Sequence, residues 1–408
     1  MSTMKRGRAR PGRLSVRLMT LCGLLFVLPA TAQTKVFPAD PPASPRAAAP
    51  NLVSGGDGSV WMSWLEPDGE EDVLKVAQFV DGRWLVPREV ARGSRLVVNR
   101  SDVPELAVAA DGTLFAHWLE KLGGDGHAYG ARIAKSTDSG SSWVPIGWLH
   151  DDLSPVEHGF VSFVPAESGA IEAYWLDGRA HPTGGATAFR TAAVHSEGSP
   201  PSAVLDDRVC ECCSTDAALT ADGPLVVYRD RSADEIRDIG VVRRSADGWS
   251  PPQSIHDDGW QINGCPVNGP AVAASGRSVA VAWFTAAAAD ARVLIALSDD
   301  AGASFAEPLV VDEDGPRGQV DVTLAQQGVV ITWLRRAETT TEVVWRLVRA
   351  DGTLGPVGIA GPREDARISG YPRIEAVDDG ALLVWVETAE EVRVRGAVLR
   401  LNEAVSER

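Results

Sequence analysis

The chain has 408 residues, with 39 lysines and arginines against 55 aspartates and glutamates, for a formal net charge of −16. That acidity argues against nucleic acid or anionic lipid as partners, because both are held by a basic face. Apolar residues make up 44% of the chain, enough to bury a large core.

In chain order, the first segment reads as a leader. Lys5, Arg6, Arg8, Arg10, Arg13 and Arg17 precede a short apolar run from Leu18 to Pro29, and Ala30-Thr31-Ala32 follows. A basic start, a short apolar middle and an A-x-A end form a secretory signal peptide. The apolar run is too short to span a bilayer, and no later segment has the length or character of a membrane helix. The expectation is residues 1–32 as a signal peptide and 33–408 as one exported domain, periplasmic or extracellular. Losing the six cations of that segment takes the charge from −16 to −22. It also removes Cys22 and leaves Cys210, Cys212, Cys213 and Cys265. An even number of cysteines in an oxidising compartment favours disulfides.

The remaining chain repeats itself. Apolar runs end in Trp64, Trp118, Trp175, Tyr228, Trp283, Trp333 and Trp385, at steps of 54, 57, 53, 55, 50 and 52 residues. A period near fifty with strand-like runs predicts an all-β propeller of four-stranded blades. Each unit opens with an apolar run, often at a proline, turns at D-G or a similar pair, and continues into the aromatic strand. Proline is tolerated at the start of a strand, and D-G between apolar runs marks a hairpin. Seven units open near Pro50, Pro104, Val161, Thr215, Pro270, Val320 and Pro372, with six blades and an embellishment as the alternative. The last unit runs out near Leu401 after three strands, so the segment around Lys35-Val36-Phe37 is expected to supply its outer strand and leave no free edge.

Two units carry matching motifs, S-T-D-S-G-S-S-W from Ser136 to Trp143 and S-D-D-A-G-A-S-F from Ser298 to Phe305. These resemble the Asp box of sialidases and related propellers, and worn copies lie in phase at Asp81, Asp247 and Asp351. The resemblance covers the whole mature chain as a fold. It implies a structural role for Asp138, Trp143, Asp300 and Phe305, with each aspartate capping its own turn. True sialidases use an arginine triad, a tyrosine nucleophile with a glutamate partner, and an aspartate. The early F-R-I-P-like motif of those enzymes is missing here, and fold likeness does not carry the reaction over.

In a propeller, the loops that enter the inner strands and those that follow the second strands open on one face around the channel. Repeat phase therefore places Glu157-His158, the C-E-C-C run Cys210 to Cys213, and Cys265 at equivalent positions in units three, four and five. A disulfide from Cys265 to one of the three cysteines is the simplest expectation, with Cys210 pairing the one left over. Adjacent Cys212 and Cys213 are poorly placed to join each other. The rival is a zinc or copper site built from these sulfurs and His158; otherwise no cofactor is required. Asp177, Arg179, Asp230, Arg231 and Arg237 follow the second strands, with Trp260 and Arg373 on the same face. Arginines there suit an acidic sugar, although Asp and Arg interleaved on loops also pair with each other.

Four functions fit these features. The first is a monomeric propeller binding a glycan or small acidic ligand through His158 and the residues just named. The second is a sialidase-type glycosidase, for which Tyr371 and Glu235 are the nominated catalytic pair. The third is a thiolate metal protein, and the fourth a protein-interaction scaffold.

Overall fold

The computed structural model describes Met1, Thr3 and residues 35–401, apart from 124–127, 167–168, 196–200, 339, 362–366 and 389. Apart from Met1 and Thr3, the expected signal peptide, residues 1–32, lies outside the described residues. Seven antiparallel sheets follow one another around a ring, and the first strands of all neighbouring blades touch, blade seven against blade one included. The inner strands are Ala48–Ser54, Leu106–Val108, His158–Pro165, Asp216–Thr220, Ala271–Ser275, Pro316–Ala325 and Arg367–Val377. The aromatic strands pair with them, as Val60–Asp68 does in blade one and Gly380–Thr388 in blade seven. Among the described residues there is no α-helix, only short 3-10 turns such as His181–Thr183 and Ala287–Ala289.

The ring closes as the sequence suggests. Lys35–Pro38 lies antiparallel to Val392–Arg400 with Lys35 opposite Arg400, which completes blade seven from the two ends of the chain. No sheet is left with a third strand as its outer edge, the arrangement that blunts edge pairing.

The repeated aromatics explain why the sheets stack. Trp64, Trp175, Trp283 and Trp333 are fully buried, and Trp118, Trp385 and Tyr228 nearly so. A large ring fills the wedge between successive twisted sheets, and its polar atom then needs a partner. Trp64 donates to Glu66 at 2.9 Å, Trp175 to Asp177 at 3.1 Å, and Trp283 and Trp333 to Asp258 and Asp312 at 2.7 Å each. Tyr228 serves the same purpose with its hydroxyl, 2.7 Å from Asp206. Blade four therefore needs no tryptophan.

The S-x-D-x-G turns of blades two and five are bonded alike. Asp138 accepts from the Ser142 amide at 2.8 Å and hydroxyl at 2.7 Å; Asp300 accepts from the Ser304 amide at 2.9 Å and hydroxyl at 2.6 Å. These bonds hold the Asp138 carboxyl down at about 2. Trp143 and Phe305 pack against neighbouring core clusters.

Candidate functional site

The inner strands bring polar residues to the ring axis, around a cavity of about 140 Å³. Glu105, Asp216, Asp321 and Glu375 line it together with Arg373. Some of these acids tie the blades together. Asp216 accepts the Val272 amide of blade five at 2.7 Å, and Asp321 accepts the Ile374 amide of blade seven at 2.8 Å. Glu105 takes the Asn51 side chain of blade one at 2.6 Å. All four are half-buried in the wall of that cavity. Desolvation there pushes Glu105 up to about 8 and Asp216 and Glu375 to about 7, with Asp321 raised as well.

On the channel face, the start of blade three builds a dense cluster. His158 and Asp177 are opposite each other on paired strands, with Nδ1 3.3 Å from Oδ2 and both side chains fully buried. Arg179 grips Asp177 through Nε at 2.7 Å and Nη2 at 2.8 Å, and reaches Asp151 at 2.9 Å. Burial opposes ionisation of Asp177, yet the close His158 ring and the hydrogen bonds from Arg179 hold its carboxyl far below the usual range. The His150 ring stacks on His158 at 4.1 Å, and burial lowers His150 to about 4.

Beside it, the Tyr129 hydroxyl donates to the Glu157 carboxylate across the junction of blades two and three. Asp102, 2% exposed, lies against the same tyrosine, and burial raises it to about 8. Burial, with Asp102 and Glu157 adding to it, pushes the Tyr129 phenol far above its ordinary value.

In blades four and five the sulfurs are paired as Cys210–Cys213 and Cys212–Cys265. The second bond ties the segment entering blade four to the segment entering blade five. Those segments touch so closely that a Cβ on Gly269 would sit 2.0 Å from the Ser214 carbonyl oxygen. Fully buried Arg229 donates to the carbonyls of Asn268, Arg237 and Phe284 at 2.5–2.7 Å and lies over the Trp260 ring at 4.8 Å. Burial lowers its guanidinium to about 10. Arg231 pairs with Glu235 at 2.7 Å, and Arg237 bonds Glu235 at 2.9 Å and Glu211 at 3.0 Å. Those two arginines hold Glu235 at about 2. Asp230 accepts from the Arg231 amide at 2.7 Å, and burial lifts it to about 6.

Between blades seven, one and two the same face opens into a cavity of about 350 Å³. Its wall includes Pro50, Val98, Val392 and the edge of Tyr371, with Arg46 and Arg100 in the lining and no acid among the described lining residues. Neither guanidinium has an ion-pair partner among the described residues. A larger cavity, about 830 Å³, lies at the opposite end of blades five and six, by the hairpin turns.

No protein-family model matches this chain, and no curated protein does. Solved structures do. A PL25 ulvan lyase solved with -[GlcA(1-4)Rha3S]- bound is similar at TM-score 0.56 and 12% identity, over 91% of this chain and 97% of its own. The polysaccharide lyase Uly1 is similar at 0.52 and 10%, over 92% and 98%. A protein of unknown function from Dyadobacter fermentans DSM 18053 is similar at 0.51 and 14%, over 90% and 99%. At such identities the likeness is one of fold, a propeller that carbohydrate-acting proteins also use.

The structure brings some of the sequence-nominated residues together and keeps others apart. The cysteine run and Cys265 meet, as two disulfides. The metal set including His158 is not assembled, since His158 turns to Asp177 and His150 while the sulfurs are bonded to one another. Tyr371 and Glu235 share no contact: the Tyr371 hydroxyl goes to the Val267 carbonyl at 2.8 Å, and Glu235 is occupied by its two arginines. Arg373 stacks over Tyr371 at 5.4 Å and sits among the channel acids. Trp260 is 7% exposed, covered by Arg229 and by Phe284. Sequence reading missed Asp102, Tyr129 and Arg46. Phase held the signal for Arg46, which precedes Pro50 much as His158 precedes Val161.

Proposed function

We propose that this chain is an exported propeller that binds an anionic glycan on its channel face, in the groove between blades seven, one and two. The carrying observation is the pairing state of the arginines. Arg179, Arg231 and Arg237 are neutralised by acids of their own loops, whereas Arg46 and Arg100 line a groove without an acid in its described wall. A guanidinium in such a place takes a carboxylate or sulfate in fork geometry, and the apolar wall suits a sugar face. Two polysaccharide lyases of the same fold, one holding -[GlcA(1-4)Rha3S]-, support the reading. The paired disulfides and the leader-like start support export. Titration calorimetry with uronate-bearing, sulfated and neutral oligosaccharides tests it. Charged ligands should bind more weakly as salt rises, and Arg46→Ala and Arg100→Ala should each weaken them about tenfold, the loss of one charge-assisted contact. Binding of no saccharide, or binding indifferent to both substitutions, overturns the reading.

A catalytic reading rests on one further observation, the Asp102, Tyr129 and Glu157 group. Asp102 keeps its proton at neutral pH, and the tyrosine donates to Glu157, so an acid and an acceptor flank a phenol. Turnover of aryl glycosides, sialosides included, or appearance of unsaturated uronate products, abolished by Glu157→Gln, would support it. Inertness toward all of them would end it.

A further inference from the structure

We infer that the four sulfurs form a dithiol–disulfide exchange centre, in which reducing equivalents enter at exposed Cys265 and are relayed through Cys212 to the buried Cys210–Cys213 pair.

The two disulfides differ in access. Cys265 is exposed and Cys212 half-buried, whereas Cys210 and Cys213 are each 1% exposed. They also touch, since Cys212 Sγ lies 3.9 Å from Cys210 Sγ although the two belong to different bonds. The sulfurs of Cys210, Cys212 and Cys213 all fall within 4.8 Å of one another. Arg237 Nη1 also lies 3.4 Å from Cys210 Sγ, while the same guanidinium pairs with Glu211 and Glu235. A disulfide that only clasps two loops requires no second sulfur pair in contact with it.

The exchange balances with a dithiol reductant as the co-reactant. One thiolate of the dithiol attacks Cys265 Sγ, forming a mixed disulfide and expelling Cys212 as thiolate. The second thiol of the reductant displaces Cys265, which takes a proton, and the reductant leaves as its disulfide. The Cys212 thiolate then attacks Cys210 Sγ. The Cys210–Cys212 bond forms, the Cys210–Cys213 bond breaks, and Cys213 takes the second proton. Two electrons have passed from the dithiol to the protein, and the new thiols are Cys265 and Cys213. Exchange of this kind needs only a thiolate, an accessible sulfur and a leaving thiolate.

The test is partial reduction of the whole oxidised protein with an equimolar amount of dithiothreitol, followed by acid quench, alkylation and peptide mapping. The expected label is on Cys265 and Cys213, with Cys210 joined to Cys212. Label on Cys265 and Cys212, with Cys210–Cys213 intact, overturns the inference. Should all four cysteines be labelled together, the doubly substituted Cys212→Ser, Cys265→Ser chain decides. Its isolated Cys210–Cys213 bond should be reduced more slowly than in the parent by about tenfold or more, because the relay sulfur is gone. An equal rate overturns the inference.

Discussion

Asp177 holds Trp175 Nε1, three nitrogens of Arg179 and the edge of His158 on one fully buried carboxylate. Truncating one member of such a group strands the others without water. Asp177→Ala should therefore cost about 3 kcal/mol, read as a lower urea midpoint at an unchanged slope. The pH sign follows from the pairing. Burial disfavours the charged form, but His158 and Arg179 outweigh it and leave the folded carboxyl below its ordinary 3.8. The contribution is thus present above that value and lost as pH falls through the folded one. A midpoint unmoved in Asp177→Ala contradicts the cluster. At this scale the sequence was legible where a residue acts within its own repeat, as the seven aromatic ring positions do. It was opaque where a cluster draws on separate segments. Asp102, Tyr129 and Glu157 are each ordinary in their own stretches of chain, and only the packing of blade three on blade two joins them.

The strand Lys35–Pro38 is four residues long and exposed throughout, yet it covers the outer edge of Val392–Arg400 from Ala397 to Arg400. Phe37 packs there under the Arg400 guanidinium at 5.0 Å. A chain starting at Ala39 should lose that edge, melt earlier and associate at concentrations where the parent does not, since an unpaired strand templates another. Identical melting and sedimentation would show the closure to be dispensable. A second brace lies across blade four, where Cys212–Cys265 closes 53 residues and constrains the unfolded chain by about 4 kcal/mol in the chain-entropy picture. Elements were well foretold because alternation and D-G turns are local. The pairing of four cysteines was only narrowed to Cys265 with Cys212 or Cys213 and Cys210 with the other, and the approach of two loops selects between them.

Across the whole molecule, the axis concentrates acid. Glu105, Asp216, Asp321 and Glu375 face a single Arg373, and desolvation raises Glu105 to about 8 and Asp216 and Glu375 to about 7. Each binds its proton more tightly folded than unfolded. Stability from this source is complete below the unfolded values and is lost as pH rises through 7 to 8. Scanning calorimetry should show Tm falling between about pH 5.5 and about pH 8.5, with a shallower fall in Glu105→Gln. A flat or rising Tm would mean the axis is better hydrated than its walls suggest. The closing strand has a last consequence. Lys35 pairs with Arg400, which pairs with Gly380 at a hairpin turn on the far side from the channel-face loops. A tether fixed just upstream of Lys35 would leave from the outer perimeter of the ring's underside. Immobilised that way, the protein would turn the Arg46 and Arg100 groove toward the solution, which is the orientation a surface-based binding assay needs.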